Sequence, residues 1–406
     1  MGIFSRNKKE KDRLFLVFDI GSSSVGGALF GARGSGIPKI IFSTREPIIL
    51  QKSLDIDQFL SSTVKSLEIV VGKIYKAGME KPEEIFCVLS SPWYVSQTRV
   101  IKFEKNTPFI FTSKLALGLI QKEITLFEEE YLAKYSDIKS PVRSIEFKNI
   151  KTMLNGYETS NPLNQKTSEL EMAVFISISG EQILKRIEET IRGHFHFEKI
   201  RFSSFAMASF AVVRDIFAES ENFLLIDVGG EVTDISMVKK NTLRESVSFP
   251  LGCNFIIREV ASALHLSFGE TRSILSLFRD GHATDSMVKK IDLVMNELRT
   301  QWLKKFQESL VNLSNDISIP STVYLAVDKG MASFFSDTIK NEQFNQYTLT
   351  ESKFKIIFLG AEVFNGLIQF KENLARDTFL SIDSIYINRF LINQTSSDME
   401  NGLEKI

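Results

Sequence analysis

The sequence predicts an α/β protein of two matching lobes with duplicated mixed-sheet subdomains. A small α+β domain is inserted in the first lobe and a mostly helical insert in the second. Three observations carry this reading. An apolar strand ending in Asp-x-Gly and small residues occurs twice, at Asp19-Ile20-Gly21-Ser22-Ser23-Ser24 and at Asp227-Val228-Gly229-Gly230-Glu231-Val232-Thr233, 208 residues apart in a chain of 406. Strand-like and helix-like segments alternate over much of the length, the pattern of a layered sheet with crossover helices. Residues 94–170 interrupt that rhythm with a strand–helix–strand–strand block.

Leu14–Asp19 is an apolar run that breaks at Gly21 and resumes at Val25–Phe30, which predicts a strand, a tight turn and a returning strand; 38–50 continue in the same manner. Asp55–Ala77 spaces Phe59, Leu60, Val64, Leu67, Val71 and Ile74 as a helix, with Asp55 or Asp57 as cap and Gly78 as stop. Glu84–Ser90 reads as a buried strand. The block that follows holds a strand at Thr98–Phe103, a long helix at 113–133, a strand at Arg143–Leu154, a turn at Asn155-Gly156 and a strand at Leu170–Ile178. Helix 181–192, strand 197–203 and helix 205–217 return to the α/β rhythm, and His194 and His196, alternating with Phe195 and Phe197, read as the approach to that strand rather than as metal ligands. The second lobe repeats a strand at Leu224–Asp227 and another at Val232–Val238. Helices follow at 254–264, 270–279 and 285–311, then strand 321–327, helix 329–339 and strand 354–359. The boundaries are a mobile basic tail over 1–13, lobe 1 over 14–93, the insert over 94–170, lobe 1 again over 171–218, lobe 2 over 219–253, its helical insert over 254–318, lobe 2 continued over 319–370, and a return to lobe 1 with a polar tail over 371–406.

Hydrophobic residues at 43% and charged residues at 24% fit a globular chain, and 34 phenylalanines suit dry cores between layers. A net charge of -1 gives no electrostatic footprint for nucleic acid, so no nucleic-acid partner is expected. No apolar run is long enough for a transmembrane segment, and the charged start is not a secretory signal. The start also fails the myristoylation pattern, because Arg6 stands where Ser or Thr is needed. Cys87 and Cys253, distant and in apolar surroundings, fit a reducing cytoplasm.

Chemistry is expected at the two turns. Glycine lets backbone N–H groups converge on a phosphate, and the hydroxyls of Ser22, Ser23, Ser24 and Thr233 add hydrogen bonds. Asp19 and Asp227 would repel phosphate but hold Mg²⁺ through its waters, since magnesium dehydrates reluctantly. One hairpin per lobe would then clamp a nucleoside triphosphate tail from both sides. The cofactor-binding set is Gly21, Ser22, Ser23, Ser24, Gly229, Gly230, Glu231, Thr233 and Gly330, and the metal set is Asp19 and Asp227.

These hairpins resemble the two phosphate-binding segments of the actin superfamily, and the insert position is similar to that of its FtsA and PilM branch. The stretches Asn155-Gly156-Tyr157 through Leu170-Glu171 and Phe249-Pro250-Leu251-Gly252-Cys253-Asn254 are also similar to segments of that branch, and Gly2-Ile3-Phe4 followed by lysines is more like PilM. The resemblance covers nearly the whole chain. It implies an actin-like fold, an SHS2-like insert, ATP with Mg²⁺, and a role in cell division or type IV pilus assembly. It also implies a membrane protein's cytoplasmic peptide as partner, held by strand addition to a sheet edge, recruitment to the inner face of the cell membrane through that partner, and self-polymerisation. The tail Thr395–Ile406 is too acidic for the lipid-binding helix of FtsA. The segment at 98–104 with the helix 113–133 is the expected partner face.

The chain departs from the pattern in three places. The adenosine motif's Gly-Gly pair is reduced to Gly330 behind Asp328 and Lys329. Glu231 puts a negative charge in the second hairpin. Phe202-Ser203-Ser204-Phe205-Ala206 offers hydroxyls where hydrolysing relatives keep a water-positioning acid or glutamine. The catalytic residues are therefore unassigned, and the chain reads as at most a slow ATPase. Two alternatives remain: an assembly protein that has lost nucleotide binding, and a small-molecule kinase with Asp215 as candidate base.

Overall fold

A computed structural model describes residues 13–32, 36–78, 80–134, 140–197, 199–313, 318–340 and 353–392. The tails expected at the two ends lie outside these residues, apart from Arg13. Lobe 1 begins with β1 (Arg13–Ile20), β2 (Ser24–Ala32) and β3 (Lys39–Pro47), then crosses by α1 (Ile56–Lys76) to β4 (Glu84–Leu89). Asp55 caps α1 by accepting from Gln58 N at 2.8 Å, and Gly78 takes a left-handed φ of 64° just beyond its end. The insert holds β5 (Val95–Ile110), α2 (Ser113–Lys134), β6 (Val142–Leu154), β7 (Tyr157–Glu158) and β8 (Lys166–Gly180). Lobe 1 resumes with α3 (Glu181–Arg192), β9 (Ile200–Ser204) and α4 (Phe205–Ile216). Lobe 2 comprises β10 (Phe223–Val228), β11 (Thr233–Lys239), β12 (Thr242–Phe249), the helices α5 (Cys253–Leu264), α6 (Phe268–Arg279) and α7 (Asp285–Leu313), then β13 (Thr322–Val327), α8 (Ala332–Lys340) and β14 (Lys355–Phe358). The chain returns to lobe 1 through β15 (Gln369–Phe370) and α9 (Thr378–Tyr386).

The sequence repeat becomes a repeat of topology. Lobe 1 has strand order β15-β3-β2-β1-β4-β9, and lobe 2 has β12-β11-β10-β13-β14. Leaving β15 aside, the two sheets share order and direction: β1 pairs antiparallel with β2 and parallel with β4, and β10 pairs antiparallel with β11 and parallel with β13. One core fills lobe 1 and continues onto one face of the lobe 2 sheet at Phe223, Leu225, Tyr324 and Ala326, a second lies on the other face of that sheet, and the insert has a third around Ile120, Ile124, Met172 and Ile176. Phenylalanine fills the lobe 1 layers (Phe15, Phe18, Phe30, Phe86). In lobe 2, Trp302 stacks on Phe306 at 5.1 Å. Both key aspartates sit one residue before the carboxyl end of a central strand, where open α/β sheets bind ligands.

Two expectations need correction. The insert does not end at 170, because β8 pairs with β5 and β6 as far as Ile178 and Gly180, so the four-stranded sheet spans Val95–Gly180. Residues 194–197 are a loop rather than a strand approach: α3 ends at Arg192 with Gly193 as its cap, and Phe195 and Phe197 pack on the lobe 1 core while β9 starts only at Ile200. The Asn155-Gly156 turn has both residues at positive φ, 49° and 80°, as a two-residue hairpin joining β6 to β7 requires.

Gly118 lies within α2 with open space where a Cβ would stand. Gly118→Ala is expected to raise stability by about 0.5–1 kcal/mol, by removing backbone freedom from the unfolded chain without a contact in the folded one. Urea denaturation would measure it.

Candidate functional site

The two hairpin turns are closed by the same hydrogen bond. Gly21 N donates to Ser24 O at 3.2 Å, and Gly229 N donates to Val232 O at 2.9 Å. A cavity of about 220 Å³ touches Asp19, Gly21, Ser22, Ser23 and Ser24 of the first hairpin and Asp227 and Gly229 of the second. It shares Ser23, Ser24, Arg45 and Asp328 with a larger cavity of about 740 Å³. Apolar side chains (Ile257, Leu275, Phe278, Phe334) and three further arginines (Arg272, Arg279, Arg299) line the larger one, which also reaches Gly330.

Gly230, Glu231 and Thr233 line neither cavity. The amides of Gly230 and Glu231 donate to Ser22 Oγ at 2.9 and 3.1 Å, so the hydroxyl of one lobe fills the amide nest of the other. Glu231 turns away from the cleft. Its carboxylate takes both terminal nitrogens of Arg258, at 3.0 and 2.5 Å, and Asn254 Nδ2 at 2.8 Å. The negative charge expected beside the phosphates is therefore neutralised behind the hairpin. Thr233 Oγ1 donates to Leu251 O at 2.7 Å and accepts from Trp302 Nε1 at 3.3 Å, a structural role. The first amides of α5 are also engaged: Cys253 N and Asn254 N donate to Gly229 O and Gly230 O at 2.9 and 2.8 Å. Asp328 accepts from Gly330 N at 2.7 Å in a local turn.

Sequence reasoning missed Arg45. In the sheet, Asp19 lies opposite Gly26 and Gly26 opposite Arg45, so the three residues form one line across β1, β2 and β3. Arg45 reaches over the glycine: Nη2 donates to Asp19 Oδ2 at 2.7 Å, and a Cβ at position 26 would stand 2.6 Å from Nη2. Arg45 Nε and Nη2 also bind the two oxygens of Asp377 at 2.5 and 3.0 Å, and Nη1 donates to Ser24 Oγ at 3.0 Å. The matching line in lobe 2 reads Asp227, Asp234, Ser248, with no cation, and Ser248 donates to Asp234. A lone arginine in a strand carries no motif, and Asp377 lies 332 residues further along, so only the folded sheet joins them.

The electrostatics follow from burial. It raises the Asp19 carboxyl; Arg45 counteracts, and Asp377 adds to the rise. Burial also pushes Asp377 upward, but the Arg45 guanidinium outweighs it and holds that carboxyl below its ordinary value. Asp227 is pushed well above the ordinary range by burial, then by Asp234 and Asp19. Asp383, fully buried on α9, is raised well above it by burial and by Asp19, and neither of its oxygens has a hydrogen-bond partner among the described residues. The folded chain thus holds the Asp383 proton more tightly than the unfolded chain does. Its contribution to stability is complete below the ordinary value of 3.8 and is lost as pH rises through the higher folded value. Asp383→Asn is therefore expected to raise the urea midpoint near neutrality and to flatten its fall with rising pH, and an unchanged pH profile would contradict this.

A nucleoside phosphate suits these cavities: the larger offers apolar faces and arginines, and the smaller lies between hairpins with small side chains. A divalent cation held jointly by Asp19 and Asp227 does not fit equally well, because the Arg45 guanidinium already binds one of the two carboxylates. Among the described residues, no group of three or more His, Cys, Asp or Glu side chains is placed to hold a metal ion.

No protein-family model matches the chain, and no curated protein matches it in sequence. Among solved structures, the chain is similar to one described as the PilM-PilN type IV pilus biogenesis complex, with a TM-score of 0.59 and 13% identity over 92% of this chain and 96% of that one. Weaker likenesses are to the ethanolamine utilization protein EutJ of Carboxydothermus hydrogenoformans, with a TM-score of 0.41 and 10% identity over 93% and 89% of the two chains. A Bacteroides thetaiotaomicron protein described as having an actin-like ATPase fold gives 0.38 and 10% over 95% and 98%. The chain has the actin-like fold in the form found in the PilM-PilN complex. No helix among the described residues is long and apolar enough to cross a membrane.

Proposed function

We propose that this chain is an actin-like, nucleotide-binding adaptor of type IV pilus assembly, recruited to the inner face of the cell membrane by a membrane protein's cytoplasmic peptide. ATP closes the lobes by its differential affinity for the closed form, and turnover is slow or absent. The observation that carries this reading is the presence of two separate sites: the cleft between duplicated hairpins, and a groove of about 830 Å³ where the insert meets the outer strand of lobe 1. That groove is lined by Ile200, Phe202 and Ser203 of β9 and by Gln121 and Ile124 of α2. Because β9 is the last strand of its sheet, an extended peptide can pair with its edge short of Ser204, whose N–H already donates to Glu146, while α2 receives alternate side chains. The fold-level likeness to the PilM-PilN complex supports this reading. The proposed groove keeps α2 from the expected partner face and takes β9 in place of the 98–104 segment.

Gln121 is exposed and lines the groove. Gln121→Trp is expected to weaken capture of such a peptide by about tenfold or more while leaving stability within about 0.5 kcal/mol. Fluorescence anisotropy with cytoplasmic segments of pilus membrane proteins would measure it, and unchanged affinity would place the peptide elsewhere. Slow chemistry fits the engagement of two candidate groups: Ser204 Oγ donates to Glu146 at 2.5 Å, and the exposed Asp215 pairs with Arg389 and lines neither the cleft nor the larger cavity.

A second reading, an assembly protein that has lost nucleotide binding, draws on Ser22 filling the amide nest. Titration with a fluorescent ATP analogue separates the two, since saturable binding supports the adaptor and its absence supports the second. Self-polymerisation belongs to the same proposal, and sedimentation with ATP tests it.

A further inference from the structure

We propose that this chain holds its nucleotide without a divalent cation, with the Arg45 guanidinium in the place a magnesium ion would take beside Asp19. This rests on the nucleotide reading of the cleft and concerns how the phosphates are neutralised there.

The line Asp19–Gly26–Arg45 in lobe 1 and the line Asp227–Asp234–Ser248 in lobe 2 occupy matching positions of duplicated hairpins. Only the first has a cation built in, and it is the one with a glycine at its centre. That glycine leaves the room through which Arg45 passes, since any Cβ there would fall 2.6 Å from Nη2. The guanidinium is then fixed from three sides: Asp19 on β1, Asp377 at the start of α9, and Ser24 on β2.

Those contacts use four of its five N–H groups, and Nη1 keeps one more beside Ser24, a residue of both cavities. Magnesium demands near-ideal octahedral coordination and retains several waters. Bringing it to Asp19 would require displacing a guanidinium held by two carboxylates, or placing two cations against one another. A phosphate oxygen faces the carboxylates Asp19, Asp227, Asp328 and Asp377 around the smaller cavity, two of which Arg45 already neutralises. It finds Arg45, Lys329 and Arg376 around the smaller cavity, and Arg272, Arg279 and Arg299 around the larger. Planar guanidinium forks match phosphate geometry, so arginines can supply the charge and the orientation that the metal supplies elsewhere.

The test is a titration of the full chain with a fluorescent ATP analogue, in buffer with magnesium and in buffer with EDTA. The expected result is a Kd that agrees within about twofold between the two buffers. Arg45→Gln is expected to lose about tenfold or more in EDTA and to recover part of the loss when magnesium is added. A wild-type affinity that falls about tenfold or more in EDTA would overturn the proposal while leaving the nucleotide reading intact. Failure to bind in either buffer would overturn that reading and this inference with it. A readout without nucleotide is the binding of Mn²⁺ followed by electron paramagnetic resonance. The wild-type chain is expected to leave the free-ion signal unchanged, and Mn²⁺ uptake that Asp19→Asn abolishes would also overturn the proposal. Both wild-type measurements decide the matter even where Arg45→Gln does not fold.

Discussion

Arg45→Met is expected to lower the free energy of unfolding by about 3 kcal/mol, because it removes the cation bound to the buried Asp19 and the partly buried Asp377 while leaving both carboxylates in place. Asp19 and Asp377 keep 3% and 18% of their side-chain surface exposed, whereas Arg45 keeps 26%. That partial exposure of the guanidinium puts the cost toward the lower end of the range for a broken buried pair. The loss has a direction as well as a size. Arg45 joins β3 to β1 and to α9, the helix that returns from lobe 2, so the docking of α9 should fail before the sheet does. Amide exchange of residues 378–391 should rise more than that of β1. The double variant Asp19→Asn with Arg45→Met should recover part of the loss, because one stranded charge is gone. A cost under about 1 kcal/mol for Arg45→Met would mean that solvent screens the cluster.

Gly230→Ala should have the larger effect on function. A Cβ at this position would stand 2.6 Å from the backbone carbon and oxygen of Ser22 and from Ser23 N. These are main-chain atoms of the opposing hairpin and cannot swing aside, so the hairpins must separate. Separation breaks the bonds from Gly230 N and Glu231 N to Ser22 Oγ and widens the cavity between Asp19 and Asp227. The expected cost is about 1–3 kcal/mol in stability, as for other overpacked positions. The expected loss in affinity for the fluorescent ATP analogue is about tenfold or more. The comparison with Gly118→Ala is informative. The chemical change is identical, but one site is open and the other faces backbone, so the two variants should move stability in opposite directions.

Much of the fold was legible because it is written in local pattern. Asp-x-Gly after an apolar run marks a strand end and a turn twice over, and the half-chain spacing turns two weak signals into a duplicated lobe. The Asn155-Gly156 turn and the Asp55 cap were readable for the same reason: each depends on a backbone dihedral or a side-chain oxygen within a few residues. The site was legible only in outline. Gly21, Ser22, Ser23, Ser24, Gly229 and Gly330 line the cavities, while Gly230 and Thr233 serve packing and Glu231 is spent on Arg258. What the residues near a turn do depends on partners far along the chain. Arg258 is 27 residues from Glu231, and Asp377 is 332 from Arg45. No periodicity joins such pairs, because strand register and helix docking bring them together only after folding. The insert boundary was misplaced for a related reason: β8 continues straight from the insert sheet to the start of α3, and the sequence has no turn residue at 170 to divide them.

Whether ATP sits between the two hairpins can be read from hydrogen–deuterium exchange of the full chain with and without ATP. ATP should bring new protection to the amides of 21–24 and of 228–230, together with the walls of the larger cavity on α6 and α8, and little change to the β5–β8 sheet. Exchange left unchanged at both hairpins under saturating ATP, or protection confined to the insert, would contradict ATP binding between the hairpins.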